Sequence, residues 1–404
     1  MYQMYQAQAD AAEQIRLWAR ATSALLHNPF AEAFAPFGMG YVAAGYEMLA
    51  RAGFSHERTP FGISSVKIGN DEVPVTEEIA AATPFATLLH FKKASPVPLP
   101  RVLLVAPMSG HFATLLRATV KTMLPDHDVY LTDWHNARDV SLADGPFGID
   151  DYVAHVIQFI ETIGSGAHVV AVCQPCVPVL AAVAVMAEAG SDLQPRTMTL
   201  MAGPVDARVS PTRVNELSIS HPIEWFEQNL IAVVPPRFRG ADRRVYPGFI
   251  QLLAFVSMNL ERHVEAHWEL YNDFATGEDE KAKTIASFYD EYFSVADLPA
   301  EFYLETVKSI FQDYALARGL LTYRGRRVNP GAIQRTALLT VEGERDDVCG
   351  IGQTLAAQDL CTGIRPYRKR HHLQPGVGHY GVFSGRRWTQ SVYPMVRNLI
   401  LSSD

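Results

Sequence analysis

Cysteine is scarce in this chain, with four among 404 residues. That is too few for a disulfide framework and fits a reduced, cytoplasmic setting. Positive charge is not in excess either. The formal net charge is −8, which argues against broad electrostatic affinity for nucleic acid or an anionic membrane surface. Two local basic clusters, residues 237–244 and 365–372, read as solvated faces. Residues 1–26 lack the basic, apolar and small-residue segments of a signal peptide, so export by the general secretory route is not expected. They read instead as an amphipathic helix with Ile15, Leu17, Trp18 and Leu25 as its apolar points. One long apolar stretch, Val169 to Ala187, is broken by Pro175 and Pro178 and has no flanking anchors. It reads as a buried strand followed by a buried helix, and no membrane span is predicted. Internal repeats and low-complexity tracts are lacking too.

What is present is ordinary globular material, 48% apolar, enough for a large core. Short extended segments are expected near 63–68 and 87–91. A continuous apolar run at 101–106 suits a strand buried on both faces of a parallel sheet, and further strands are expected at 128–132, 167–172, 197–201 and 337–341. Helical spacing between them, at 111–123 and 150–163, implies a sheet covered on both sides. From about 204 to 332 the alternation stops, and aromatic-rich helical segments are expected at 249–274 and 281–293. The predicted organisation is an α/β core in residues 1–203, including the N-terminal helix, a helical cap inserted at 204–332, and the rest of the core in 333–404. A cap there would cover the C-terminal edge of the sheet, where open parallel sheets bind ligands.

The strongest chemical signal is Ala171-Val-Cys173-Gln-Pro175, placed between a strand and a helix. A nucleophile elbow needs small residues two positions either side of a side chain held on a strained turn. Cys173 satisfies that better than Cys176, which has the bulky Gln174 at −2. Pro175 departs from the usual glycine but is tolerable in a first helical turn, and the helix N-terminus favours a thiolate. A triad in the order nucleophile, acid, histidine is completed by Asp346, with Asp347 in reserve, and by His379 in the Gly-rich loop 376–381. Oxyanion donors are expected from the backbone N–H of Gln174 and from that of Met108 or Ser109. Rival readings are a buried core cysteine, a Cys-x-x-Cys redox pair of Cys173 and Cys176, and a zinc site. The spacing of Cys349, Cys361, His371 and His372 does not support zinc, and His263 and His267 read as helix features. No cofactor or metal is expected.

The chain resembles the intracellular poly(3-hydroxybutyrate) depolymerases over nearly its whole length. The resemblance rests on Val172-Cys-Gln-Pro-Cys-Val-Pro178, Ala106-Pro-Met-Ser-Gly-His111, Leu131-Thr-Asp-Trp-His-Asn136, Ser257-Met-Asn-Leu-Glu-Arg-His263 and Gly376-Val-Gly-His-Tyr380. It implies a cysteine-nucleophile α/β-hydrolase with Cys173, Asp346 and His379 as triad. Its substrate would be stored polyester on cytoplasmic granules, cleaved through a thioester acyl-enzyme. It leaves coenzyme A open as an acyl acceptor in place of water, and a homo-oligomer open as its assembly. Polyester synthases and small-ester hydrolases on the same fold are the alternatives, although the synthase elbow, Gly-x-Cys-x-Gly, is not matched by Ala171 and Pro175. A granule-coating protein gives no reason for an ordered triad. Trp225, Phe226, Trp268 and Tyr271 are candidates for polymer contact, against ordinary core packing.

Overall fold

The computed structural model describes residues 1–26, 39–94 and 98–403. Two helices, α1 (Tyr2–Leu26) and α2 (Met39–Arg51), precede strands β1 (Ser65–Ile68), β2 (Asp71–Ala82) and β3 (Ala86–Lys93). Alternating units follow: β4 (Arg101–Val105), α3 (Arg117–Met123), β5 (Asp128–Trp134), α4 (Ile149–Ile163), β6 (His168–Val172), α5 (Cys176–Glu188) and β7 (Thr197–Met201). An insertion then carries α6 (Arg213–Ser220), α7 (Ile223–Leu230), β8 (Ala232–Val233), β9 (Arg244–Tyr246), α8 (Gly248–Met258), α9 (Leu260–Thr276), α10 (Asp279–Tyr292), β10 (Leu298–Pro299), α11 (Ala300–Thr306) and a hairpin of β11 (Thr322–Tyr323) and β12 (Arg326–Arg327). The chain returns to the sheet with β13 (Ala337–Gly343) and β14 (Lys369–Gln374), and a last helix, α12 (Tyr393–Leu401), packs beneath it.

The main sheet has the order β1-β2-β3-β5-β4-β6-β7-β13-β14. Its first three strands are antiparallel, and β5 through β14 run parallel. An antiparallel start followed by β4 lodged between β5 and β6 is the α/β-hydrolase arrangement. Central strands β6, β7 and β13 are buried at every residue, as their mostly apolar sequences require when helices cover both faces. Strand β2 alternates and is largely exposed, in keeping with its place near the sheet's edge. Helix α4 buries the stripe Tyr152, Val156, Phe159, Ile160 and Ile163. Helix α5 is apolar all round because it lies inside the molecule, with residues 176–184 all buried.

Five local expectations are corrected. Residues 111–123 are not one helix: His111 pairs with Val295 in an isolated bridge, a 3-10 turn covers Ala113–Leu116, and α3 begins only at Arg117. The segment 249–274 is two helices, broken at Asn259, whose side-chain amide donates to Asp347. The insertion is not wholly helical, since β10, β9 and β8 form a small antiparallel sheet. The N-terminal helix belongs by contact to the insertion rather than to the sheet. Tyr2 packs with Val234, Val245 and Phe249, and its hydroxyl donates to Asp297 at 2.5 Å. Nor is the cluster 237–244 simply a solvated face. Arg237 pairs with Asp10 and Arg244 with Glu227, while the buried Arg243 guanidinium donates to the carbonyls of Val140, Ser141 and Gly145.

Candidate active site

Four loops leave the C-terminal ends of β4, β6, β13 and β14 and meet over the sheet. The turn after β6 carries Cys173 with φ at +68°, a conformation a residue with a Cβ adopts only when its surroundings enforce it. Enforcement comes from both sides. Cys173 N–H donates to Met201 O at 2.7 Å, and its carbonyl accepts from Cys176 N–H at 3.1 Å. Gly203 faces the back of this turn. A Cβ there would lie 2.3 Å from the Cys176 sulfur and 2.5 Å from Cys173 O, so only glycine fits. Pro175 is the N-cap of α5 and already has helical dihedrals, so the proline costs the helix no hydrogen bond.

The turn after β13 carries Asp346. Its Oδ1 accepts from the N–H groups of Val348 and Cys349 at 2.9 and 2.8 Å, and its Oδ2 accepts from His379 Nδ1 at 2.8 Å. Both side chains are buried. The pairing therefore falls to Asp346. Asp347 points elsewhere, to Asn259. A further acid, not singled out by sequence reasoning, stabilises the same loop. Glu342, 1% exposed, accepts backbone N–H groups from Gly352, Thr354 and Leu355. Sequence holds one signal for it, a lone carboxylate inside an apolar strand.

Burial pulls the His379 pKa down, but Asp346 and the Cys173 sulfur, each by charge and by hydrogen bond, outweigh it and hold the ring protonated well above the ordinary histidine range. Cys176 behaves differently. Its sulfur is wholly buried 3.6 Å from Met201 O and 3.7 Å from Ala171 O, and burial, with Cys173 alongside, pushes its thiol far up. Three residues apart, one cysteine opens onto a cavity and the other is core. All four cysteines are free thiols.

The cavity holding Cys173 and His379 has a volume of about 890 Å³. Its sheet side is formed by Pro107, Ser109 and the loop 376–381, and its far side by Phe255, Met258, Phe288 and Tyr292 from α8 to α10. Burial raises Tyr380 well above the tyrosine range and Tyr292 to about 12, so both phenols stay neutral. Burial also holds His111 neutral, with a pKa of about 4, stacked against Phe255. Of the proposed oxyanion donors, Gln174 N–H and Ser109 N–H have no hydrogen-bond partner among the described residues. Met108 N–H faces the Gln174 side chain, with Oε1 at 3.4 Å, and Met108 does not line the cavity. The 131–136 motif is scaffolding for this loop. Thr132 and Trp134 side chains hold the N–H and the carbonyl of Ala106, immediately before Pro107.

Among the described residues no group of three or more His, Cys, Asp or Glu side chains is placed to hold a metal. His263 and His267 bond Tyr289 and the His263 carbonyl respectively. No described helix is long and apolar enough to cross a membrane. Of the four aromatic candidates, Phe226 is buried, Trp225 stacks on His221, and Tyr271 donates to Tyr41 O, while Trp268 is 65% exposed.

Comparison with curated proteins finds no match. Among solved structures, the chain is similar to a hypothetical protein from Pseudomonas aeruginosa (11% identity, 86% of this chain and 98% of that one, TM-score 0.45). It is also similar to 2-hydroxy-6-oxo-6-phenylhexa-2,4-dienoate hydrolase from Rhodococcus sp. strain RHA1 (14%, 81% and 99%, TM-score 0.42). A third is a thermophilic esterase from Thermogutta terrifontis (13%, 80% and 98%, TM-score 0.41). The family model described as "PHB de-polymerase C-terminus" matches residues 202–404, which carry Asp346, His379 and the whole insertion. The chain belongs to the poly(3-hydroxybutyrate) depolymerase family and is an ester hydrolase.

Proposed function

We propose that this protein hydrolyses stored poly(3-hydroxybutyrate) through a Cys173–His379–Asp346 triad and a thioester acyl-enzyme. The observation that carries the reading is Cys173 on its positive-φ turn, in one cavity with a His379 whose other nitrogen is bound to Asp346. With the proton of the pair already on His379, the Cys173 sulfur attacks the ester carbonyl, forming an S–C bond while the carbonyl electrons move to oxygen. The C–O bond to the departing chain then breaks, and His379 returns the proton to its alkoxide. Water, giving a proton to His379, attacks the thioester; the C–S bond breaks, the acid leaves, and the proton on His379 beside the freed Cys173 sulfur restores the starting pair. Asp346, held by two backbone N–H groups, keeps His379 in the tautomer and orientation these transfers need.

A polymer rather than a small ester is supported by the outer face of the same helices. Leu253, Leu260, Val264 and Trp268 are exposed, and His263 lines both the Cys173 cavity and the apolar groove that contains Leu260, Val264 and Trp268. Large apolar side chains gathered on one face favour contact with an apolar surface.

The test is release of soluble 3-hydroxybutyrate from amorphous polymer granules by the wild type, Cys173→Ala and Cys176→Ala. Loss of at least about 10³-fold in Cys173→Ala alone is expected, with a 3-hydroxybutyryl thioester on Cys173 visible by mass spectrometry after acid quench. Retained activity in Cys173→Ala refutes the mechanism. Added coenzyme A separates the acceptors, since its thioester product appears only if it competes with water. Chain growth from 3-hydroxybutyryl-CoA would make the protein a synthase-like acyltransferase instead.

A further inference from the structure

Two arginines, Arg262 from α9 and Arg345 from the turn after β13, line the cavity that holds Cys173 and His379. Both residues are exposed, and among the described residues neither guanidinium has a hydrogen-bond or ion-pair partner. That sets this cavity apart. Every arginine lining the other large cavity, between α1, α2 and the insertion, has a carboxylate within ion-pair distance. The Cys173 cavity has a single carboxylate on its lining, Asp347, and there the Asn259 amide donates to Oδ2 at 2.6 Å. The same bond joins the two segments that carry the arginines. Arg262 stands one helical turn beyond Asn259, and Arg345 two residues before Asp347. The cationic rim is therefore built from both walls, at the seam where the insertion meets the sheet. In a chain of net charge −8, unpaired guanidiniums beside a reactive cysteine mark a place for an anion.

Chemistry selects the anion. The interior of a poly(3-hydroxybutyrate) chain is neutral and offers only hydrogen-bond acceptors, while its ends are a hydroxyl and a carboxylate. A guanidinium can bind a carboxylate through two parallel charge-assisted hydrogen bonds, which neither an ester nor a hydroxyl matches. We propose that Arg262 and Arg345 bind the carboxylate end of the polyester and so direct Cys173 to esters near that end. This rests on the reading of Cys173 as the nucleophile of a polyester hydrolase. With the acid end held at the rim, the alcohol that departs in the first step is a short 3-hydroxybutyrate acid. The acyl group left on sulfur is the rest of the chain. Water breaks its C–S bond, and the product is a shorter chain ending in a new carboxylate. Each turnover thus recreates the group the arginines hold, and the chain is shortened stepwise from one end.

The experiment measures cleavage of a linear 3-hydroxybutyrate tetramer, as the free acid and as its methyl ester, by wild type, Arg262→Gln, Arg345→Gln and the double variant. The methyl ester keeps the internal esters and lacks the anion, so it reports on folding and on the cysteine chemistry in each variant. Wild-type kcat/KM is expected to be at least about tenfold higher on the free acid. The first product should come from the carboxylate end, and the preference should shrink as salt is raised. The double variant should lose about 10- to 100-fold more on the free acid than on the methyl ester, mostly through KM, and each single variant part of that. Equal wild-type rates on the two tetramers would overturn the proposal. Equal losses on both in the double variant would overturn it too, making the arginines part of the cavity's frame. So would a loss confined to acyl transfer to added coenzyme A, which would assign the arginines to that acceptor's phosphates. Wild-type cleavage of neither tetramer, or cleavage that survives Cys173→Ala, would instead sink the proposed function, and this inference with it.

Discussion

At the C-terminal ends of β6, β13 and β14, each residue of the candidate triad is tied down by named partners. Cys173 is held through Met201 and Cys176, Asp346 through Val348 and Cys349, and His379 through Asp346. Across the cavity, α8 to α10 leave Leu253, Leu260, Val264 and Trp268 on the surface. Under the proposed function the two walls answer different physical demands. Bond making tolerates displacements of a fraction of an ångström, so its groups sit on a rigid sheet with satisfied backbone groups around them. Contact with an amorphous apolar surface needs area rather than register, and helices with exposed apolar side chains provide it.

The sharpest way to break this comparison is on the sheet side. Asp346→Asn retains the shape but loses the carboxylate that orients His379, and kcat should fall by about 10³- to 10⁴-fold with little change in melting temperature. A loss below tenfold would mean that the pairing does not orient the base.

A stability effect is expected at the junction of the insertion with α1. Burial raises the Asp297 pKa from 3.8 to about 6, against the Tyr2 hydroxyl, Gly248 N–H and Arg138, which lower it. The folded protein therefore binds this proton more tightly than the unfolded chain. The stabilisation is fully present below the ordinary carboxylate pKa and is lost as pH rises through about 6, an effect on the order of 3 kcal/mol at pH 7. Asp297→Asn should flatten that dependence, so the wild type gains melting temperature between pH 7 and pH 5 relative to the variant. Parallel melting curves at the two pH values would contradict it.

Glu342→Gln tests whether the loop that carries Asp346 depends on its buried support. It replaces an acceptor of three N–H groups with one that turns an NH2 toward at least one of them, at a cost of about 1.5–3 kcal/mol. Denaturant unfolding would register the loss, and an unchanged midpoint would show that the loop is held by its other contacts.

The smallest effect is expected on the insertion side. Trp268→Ala combined with Leu260→Ala should lower polymer hydrolysis severalfold and leave soluble-ester kcat and KM within about twofold, a change on the order of 1 kcal/mol. Equal losses on both substrates would show that these residues support the cavity wall rather than the polymer.

Much of this protein was legible in its sequence because it is written in short-range pattern. Apolar stretches with no alternating polar face mark β4, β6, β7 and β13, since a strand covered on both faces has no polar side to show. The elbow is legible because its turn restricts the residues around Cys173, and Asp346 and His379 because each follows a sheet strand in chain order. Contacts between distant segments are another matter. Nothing local announces that Asn259 breaks a helix to reach Asp347, that Arg243 holds three carbonyls, or that α1 attaches to the insertion through Tyr2 and Asp297. The same is true of Gln174, whose position after Cys173 marked only its backbone N–H. Where its side-chain amide lies depends on Met108, 66 residues earlier in the chain. Sequence by itself determined the strands, the turn and the order of the reactive groups, since these follow from periodicity and from local steric limits. Tertiary structure decided which polar groups satisfy one another, because a hydrogen bond depends on ångström-scale placement that only the packed sheet and its insertion supply.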